Sequence, residues 1–205
     1  MAPKIIAIAG TTSNCGKTSL LCDLLRELSD QEEWEAIKLT RGHYRSCGKD
    51  PHACCVSHLL ADEPVIRSGI KETKVIGKDT GRYWDAGAAN VHWVIVTNDQ
   101  VEQGINRAIE RVDSRNVLIE GTSMLRYISA DLAVLVARPE PVKLKPSARY
   151  ALINGLIDLV YLFGDGDRRS LISQYQAQAA AHLPLYTRGE LPQLVTLIRD
   201  ATGLI

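Results

Sequence analysis

Short apolar runs rich in β-branched residues alternate with longer amphipathic segments along this chain of 205 residues. This alternation is typical of βαβ units, in which a helix connects two parallel strands. Several of the runs are almost unbroken, as expected for strands covered on both faces. The sequence therefore predicts an α/β fold of three layers, with a mostly parallel central sheet flanked by helices.

Seven strands and five helices are predicted from these patterns. The strands are Lys4–Ala9, Glu35–Leu39, His92–Val96, Asn116–Ile119, Leu132–Val136, Leu159–Phe163 and Leu183–Tyr186. The helices are Lys17–Ser29, Val101–Arg111, Ser147–Ile157, Arg168–Ala181 and Glu190–Ala201. Residues 40–90 do not follow this alternation of strands and helices. We interpret them as a Cys/His-rich, insertion-like segment within a single domain spanning residues 1–205.

Composition excludes several classes of protein. With 45% hydrophobic and 23% charged residues, the chain is neither disordered nor fibrous. Lys plus Arg and Asp plus Glu both number 24, so no uniform field favours nucleic acid or a membrane surface as a partner. No apolar stretch reaches the length of a membrane span, and the five cysteines follow no secretory pattern. A cytoplasmic location with reduced thiols is expected.

The segment Gly10–Ser19, GTTSNCGKTS, follows an apolar strand and precedes an amphipathic helix, which is the context of a phosphate-binding loop. Backbone N–H groups and the helix N-terminus would surround the phosphates, Lys17 would reach the outer phosphates, and Thr18 would bind Mg²⁺. Five residues, rather than the usual four, separate Gly10 from Gly16. The residues expected to bind nucleotide in this loop are Thr12, Ser13, Asn14, Cys15, Gly16, Lys17, Thr18 and Ser19.

Glu120 ends an apolar strand and precedes Gly121. An acid at the tip of a strand beside the phosphate loop can hold Mg²⁺ or orient a water for attack on the terminal phosphate. The sequence predicts that Thr18 and Glu120 are the Mg²⁺ ligands.

The phosphate loop with its longer glycine interval resembles dethiobiotin synthetase, and the strand followed by Glu120 and Gly121 is similar to both dethiobiotin synthetase and the molybdopterin-guanine dinucleotide biosynthesis protein MobB. The blocks Lys38–His43, Gly77–Tyr83 and Ala86–Ala88 also resemble MobB. These proteins belong to the signal-recognition, MinD and BioD class of P-loop NTPases. The resemblance implies the P-loop NTPase fold and a homodimeric GTP-binding protein with Mg²⁺, acting with a protein partner in molybdenum cofactor biosynthesis.

The same resemblance implies that Lys38 and Asp79 lie near the phosphates or the metal. The expected catalytic residues are Lys17, which would stabilise phosphate charge, Glu120, which would act at the metal, and Asp79, which would position the attacking group; Asp50 is the alternative for this last role. Asp79 fits a helix N-cap equally well. No guanine-reading motif follows Leu132–Val136, so GTP and ATP both remain open. Arg138 and the turn Gly164–Asp167 are candidates for a base or ribose contact.

Three Cys and three His fall between His43 and His58. Thiolate and imidazole suit Zn²⁺, Ni²⁺ or an iron–sulfur cluster, and the candidate ligands are Cys47, His52, Cys54 and Cys55. The MobB pattern lacks this block, whereas nickel-insertion GTPases of the same class hold metal with Cys and His between subunits. Cys15, near a helix N-terminus, is expected to be oxidisable, and Cys22 to lie in the core.

Three functions therefore remain open from the sequence. The first is a MobB-like GTPase or ATPase, with a dethiobiotin synthetase-like, ATP-dependent ligase as the alternative when the phosphate acceptor is a carboxylate rather than water. The second is a metal-binding chaperone GTPase that uses the Cys/His cluster. The third is a nucleotide sensor without turnover.

Overall fold

The computed structural model describes residues 2–42, 56–139, 143–164 and 183–203. Eight strands form one sheet: β1 (Lys4–Gly10), β2 (Trp34–Arg41), β3 (Val65–Ser68), β4 (Asn90–Val96), β5 (Asn116–Glu120), β6 (Leu132–Ala137), β7 (Leu159–Leu162) and β8 (Leu185–Thr187). The helices of the described residues are α1 (Lys17–Leu28), α2 (Ile70–Thr73), α3 (Asp79–Asp85), α4 (Val101–Ile109), α5 (Pro146–Ile153) and α6 (Leu191–Thr202).

The strand order across the sheet is β3-β4-β2-β5-β1-β6-β7-β8. All neighbouring strands are parallel except β3, which runs antiparallel to β4 at one edge. The three-layer α/β fold with a mostly parallel sheet is therefore confirmed. β1 lies between β5 and β6, so the loop that follows it opens at the middle of the carboxyl edge.

Consecutive residues of β1 supply the two faces of the sheet. Ile6 and Ile8 pack into the core beneath α1, α3 and α6, while Ala7 and Ala9 pack into the core beneath α4 and α5. All four side chains are fully buried. The larger side chains thus point to one core and the smaller to the other, and both faces of the central strand are covered by helices.

The helix predicted as Ser147–Ile157 ends at Ile153 in the structure. Gly155 adopts a left-handed φ of 65°, and its N–H bonds to the Leu152 carbonyl, which closes a turn and stops the helix. The other predicted strands and helices that fall within the described residues match the structure to within a few residues, whereas β3, α2 and α3 were not predicted. The helix predicted at Arg168–Ala181 lies outside the described residues.

The insertion-like segment 40–90 contains β3, α2 and α3 in its described part, residues 56–90. β3 extends the sheet by pairing with β4, and α3 packs on α1 and β4. This part of the segment is therefore integrated with the sheet. Among the described residues, no helix is both long enough and apolar enough to cross a membrane.

Candidate functional site

The parallel register brings two predicted site residues to the same level of the sheet. Glu120, the last residue of β5, is aligned with Lys38 of β2 on one side and with Ile8 of β1 on the other. The carboxyl edge, where the phosphate loop begins, is the edge at which open α/β sheets bind ligands.

The phosphate loop is tied to the elements on both sides of it. The Gly10 N–H donates a hydrogen bond of 3.0 Å to Thr122 Oγ1, just beyond β5. The Thr11 N–H donates to the Val136 carbonyl of β6 at 3.0 Å, and the Lys145 N–H donates to the Thr11 carbonyl at the same distance. These bonds fix the start of the loop without using the N–H groups of Ser13 to Gly16.

Two glycines of the loop are required by their surroundings. A Cβ at Gly10 would lie 2.6 Å from Cys15 Sγ, so the loop packs directly on the strand end. Gly16 has a φ of 103°, and a Cβ there would lie 2.2 Å from the ring of Phe163. Asn14 also has a positive φ, 58°. The loop therefore curls back on itself before α1 begins at Lys17.

The side chains of Lys17 and Cys15 contact each other, and both pack against Gly10. The Lys17 ammonium donates to the Thr12 carbonyl at 3.3 Å and lies 3.8 Å from Cys15 Sγ. The Cys15 side chain is fully buried, so an oxidant does not reach its sulfur in this conformation, contrary to the expectation of an oxidisable thiol. Cys22 is buried in the core as predicted, and burial raises its pKa to about 11.

The acidic part of the site centres on Glu120, whose side chain is 4% exposed. The Thr18 hydroxyl donates to Glu120 Oε2 at 2.7 Å. The Lys38 ammonium bonds to Glu120 Oε1 and also to Asp79 Oδ2, the latter at 2.7 Å. The Tyr83 hydroxyl donates to Glu120 Oε2. Asp79 begins α3 and Tyr83 lies one turn later, so both reach the sheet from the same face of the helix.

Electrostatics keeps these groups in defined protonation states. Burial alone would lower the pKa of Lys38, but the Glu120 and Asp79 carboxylates outweigh it and hold that pKa above its ordinary value. Burial alone would raise the pKa of Asp79, but the Lys38 ammonium outweighs it and holds the pKa below the ordinary value. Burial and the Glu120 carboxylate raise the pKa of Tyr83, which therefore stays a donor.

The donor set fits Mg²⁺. The Thr18 hydroxyl and the Glu120 and Asp79 carboxylates are hard oxygen donors, and Lys38 bonds to both carboxylates. Mg²⁺ binds few protein oxygens and takes the remainder from water and substrate phosphates. The site therefore provides the ligand types that a nucleotide-bound Mg²⁺ requires.

These groups open into a cleft of about 600 Å³. Six basic side chains line it against two carboxylates, those of Asp79 and Glu120. The basic residues are Lys17, Lys38, Arg41, Arg82, Arg138 and Lys145. An excess of positive charge in a concave, partly enclosed site favours a polyanionic ligand.

Most of the residues predicted to bind nucleotide or metal come together in this cleft. It is lined by Ser13, Asn14, Gly16, Lys17, Thr18, Ser19, Lys38, Asp79, Glu120 and Arg138. Thr12 and Cys15 belong to the loop but do not line the cleft: Thr12 binds Lys17 through its carbonyl, and Cys15 packs behind the loop. Asp79 is not an N-cap, because Lys78 takes that position.

The proposed transition-metal ligands Cys47, His52, Cys54 and Cys55 lie outside the described residues, as do Asp50 and residues 165–167 of the turn considered for the base. Within the described ranges, no three His, Cys, Asp or Glu side chains are grouped in a way that would hold a metal ion.

Four functional candidates were missed by sequence reasoning: Tyr83, Arg41, Arg82 and Lys145. Tyr83 occurs i+4 from Asp79, a spacing that could have indicated a shared helix face. Arg41 and Arg82 lie in two of the blocks similar to MobB, Lys38–His43 and Gly77–Tyr83. The stretch Lys143–Arg149 is more simply interpreted from sequence as a solvated basic connector, but Lys145 and Ser147 of it line the cleft while Lys143 and Arg149 are exposed.

Comparison with family sequence profiles gave no match, and comparison with curated protein sequences gave none. Among solved structures, the chain is similar to HypB from Helicobacter pylori in complex with nickel, with a TM-score of 0.50 at 10% identity over 98% of this chain and 88% of that one. The fold is that of the P-loop NTPases.

Two further solved structures are similar at lower scores. LpxK from Aquifex aeolicus in complex with ATP gives a TM-score of 0.47 at 16% identity, over 91% of this chain and 54% of that one. A plasmid partition protein from Borrelia burgdorferi gives 0.46 at 10% identity, over 100% and 98%. At these identities the likeness concerns the fold alone.

Proposed function

We propose that this protein binds a nucleoside triphosphate with Mg²⁺ and transfers the terminal phosphoryl group to water or to a second substrate. The observation that carries the proposal is the hydrogen bond between the Thr18 hydroxyl of the phosphate loop and the Glu120 carboxylate, which joins the expected phosphate and metal groups within one cationic cleft. The loop precedes α1, whose N-terminus adds partial positive charge at the same place.

Each residue has a defined part in this function. The N–H groups of the loop bind the phosphates, and Lys17 and Lys38 offset the negative charge that spreads over the terminal phosphoryl oxygens. Thr18, Glu120 and Asp79 would hold Mg²⁺, which would supply charge neutralisation at the phosphates. Tyr83 fixes the orientation of Glu120 by donating to one of its oxygens.

The finer role is MobB-like: a GTP- or ATP-hydrolysing homodimer with Mg²⁺ that assists guanine dinucleotide attachment in molybdenum cofactor biosynthesis through a protein partner. The support is the sequence resemblance in the blocks around Lys38 and Asp79 and the contact between those two side chains. A dethiobiotin synthetase-like ligase is the alternative, in which a carboxylate takes the phosphoryl group. Phosphate release without any acceptor would favour the NTPase over the ligase.

The first experiment is a calorimetric titration of the metal-stripped chain with ATP and with GTP, with and without Mg²⁺. We expect one nucleotide to bind more tightly with Mg²⁺ than without it. Lys17→Ala should abolish binding, and Thr18→Ala should remove the dependence on Mg²⁺. Lys143→Ala, an exposed lysine on the connector before α5, is the matched control and should bind as the unchanged protein does. Absence of binding by the unchanged protein would overturn the proposal.

A second candidate is a metal-binding chaperone GTPase in which Cys47, His52, Cys54 and Cys55 hold a transition metal such as Ni²⁺ or Zn²⁺, or an iron–sulfur cluster. The density of Cys and His in residues 43–58 favours it, and the HypB structure of similar fold is a complex with nickel. Elemental analysis of protein purified without chelator tests it. About half an equivalent of metal per chain, lost on changing Cys54 and Cys55 to Ser, is the expected result, and no metal would contradict it.

A further inference from the structure

Lys145 is held at the phosphate loop by its backbone. Its N–H donates to the Thr11 carbonyl at 3.0 Å, and Thr11 is itself bonded to Val136 of β6. α5 begins at the next residue, Pro146, and packs its buried residues Ala148, Ala151 and Leu152 into the core. The Cα of Lys145 is therefore fixed at the wall of the cleft, although the residue lies 128 positions beyond Lys17 in the sequence.

The Lys145 side chain lines the same cleft as Lys17 and is half-buried. Among the described residues it has no carboxylate and no hydrogen-bond acceptor as a partner. Burial lowers the pKa of Lys145, and the nearby Lys17 and Arg41 cations lower it further. Two ammonium groups that repel each other in one cleft are an arrangement that an anion placed between them would stabilise.

The charged groups around Lys145 indicate which part of a ligand it would meet. They are Lys17 of the loop, Arg41 at the end of β2 and Glu120 at the end of β5. Glu120 and Thr18 form the metal side of the cleft, where the outer phosphates of a triphosphate would lie. Arg138 and Phe163 extend beyond β6 and β7 on the other side. Lys145 thus faces the phosphate end of the cleft.

We propose that Lys145 is a second phosphate-binding cation, which contacts the terminal phosphoryl group of the nucleotide opposite Lys17. The inference rests on the proposed function and adds a residue to it. The Lys38 ammonium is less available to the terminal phosphoryl group than that of Lys145, because it is already paired with Glu120 and Asp79. Lys145, unlike Lys38, has no ion pair among the described residues to break when it enters the phosphate site.

The test compares triphosphate with diphosphate binding in four proteins: unchanged, Lys145→Gln, Lys145→Arg and Lys143→Gln. The probes are a non-hydrolysable triphosphate analogue and the diphosphate of the preferred base, each with Mg²⁺, measured by calorimetry. Lys145→Gln should weaken triphosphate binding about 10- to 100-fold, the usual worth of a charge-assisted hydrogen bond, and diphosphate binding less than about twofold. Lys145→Arg should retain most of the affinity, and Lys143→Gln should retain all of it.

Equal losses of affinity for the triphosphate and the diphosphate would assign Lys145 to the inner phosphates or the ribose. No loss of affinity for either would place Lys145 outside the nucleotide site. Each of these results would overturn this inference but not the proposed function. If the unchanged protein bound no triphosphate, the proposed function would fall, and this inference with it. Thermal unfolding of the nucleotide-free protein distinguishes a purely structural role of Lys145 from a role in phosphate binding. Removing a repelled, desolvated cation should leave its unfolding midpoint unchanged or raise it, whereas loss of a structural contact would lower it.

Discussion

The hydroxyl of Tyr83 in α3 donates a hydrogen bond to Glu120 at the end of β5, 37 residues away in the sequence. Tyr83 is fully buried, and the same Glu120 oxygen also accepts the Thr18 hydroxyl. A buried phenol therefore orients the carboxylate that we assign to Mg²⁺. Groups that orient a metal ligand commonly affect metal affinity nearly as much as the ligand itself.

Tyr83→Phe should weaken the response to Mg²⁺ and lower stability. The ring still fills its space, but Glu120 loses one donor while it stays buried, which should cost about 2 kcal/mol of unfolding free energy. The measurement is phosphate release titrated with Mg²⁺, together with urea unfolding. Tyr161→Phe, another buried tyrosine on β7, should leave the Mg²⁺ dependence unaltered. Identical Mg²⁺ titrations for Tyr83→Phe and the unchanged protein would contradict the orienting role.

Lys38→Met should make the fold depend on Mg²⁺. Without the ammonium, the Glu120 and Asp79 carboxylates face each other unpaired, and loss of a buried ion-pair partner costs about 3 kcal/mol or more. Because Mg²⁺ would replace the missing cation, saturating Mg²⁺ should raise the unfolding midpoint of Lys38→Met far more than that of the unchanged protein. Thermal unfolding with and without Mg²⁺ measures this.

The control for Lys38→Met is Lys74→Met. Lys74 is an exposed lysine in a 3.7 Å ion pair with Asp85, so its loss should change stability by well under about 1 kcal/mol, with no added Mg²⁺ response. Equal Mg²⁺ effects in both variants would argue against a shared carboxylate site.

Gly16→Ala should disrupt the loop more than its backbone strain alone explains. A left-handed φ costs a non-glycine residue about 1–2 kcal/mol, and Gly155→Ala, at a φ of 65° with open space around it, should show only that cost. At Gly16 a Cβ would also strike the Phe163 ring, so Gly16→Ala should lose more stability and nucleotide binding together. Urea unfolding of the two variants gives the comparison. Equal losses of unfolding free energy would show that the Phe163 ring moves aside at little cost.

A buried pair away from the cleft predicts a pH dependence of stability. Glu35 Oε2 lies 2.7 Å from His92 Nε2, and Glu35 Oε1 accepts the N–H groups of Asp113 and Ser114. Burial by itself would raise the pKa of Glu35, but these hydrogen bonds outweigh it and hold that pKa below its ordinary value of 4.5. A lowered pKa stabilises the fold above pH 4.5, and that stabilisation is lost as the pH falls through the lowered value.

Glu35→Gln should therefore be less stable than the unchanged protein at pH 7, and the difference should shrink as the pH falls below about 4.5. Chemical unfolding at several pH values measures the difference. Glu33→Gln, an exposed acid two residues earlier, should show no such trend. A difference that grows toward acid pH would mean that the sign assigned to Glu35 is wrong.

The sheet and its carboxyl edge follow from the sequence because their patterns are local: β-branched runs, a small polar loop and leucine stripes. β3 escaped prediction because Val65–Ser68 is only four residues long and half-exposed throughout, so neither alternation nor a buried run marks it. Its identity as a strand depends on pairing with β4, which is a tertiary contact. The end of α5 at Ile153 likewise depends on the conformation of Gly155.

The residues of the candidate site also divide into those that the local sequence identifies and those that only a tertiary contact identifies. The phosphate loop and Glu120 are recognisable from their neighbours in the chain, and Lys38 and Asp79 were expected from a family resemblance. Lys145 was not recognisable, because a basic connector and a phosphate ligand have the same local sequence. Only the bond from its N–H to Thr11, across more than 130 residues, brings it to the cleft.

The cleft carries a surplus of four positive charges, yet the chain as a whole has a formal net charge of 0. The rest of the chain must therefore be negative by the same amount, so the cleft concentrates positive charge in a protein that is neutral as a whole. Such a local concentration of charge attracts a small polyanion to the cleft before contact. Association should consequently slow as ionic strength rises, even though the protein as a whole is neutral.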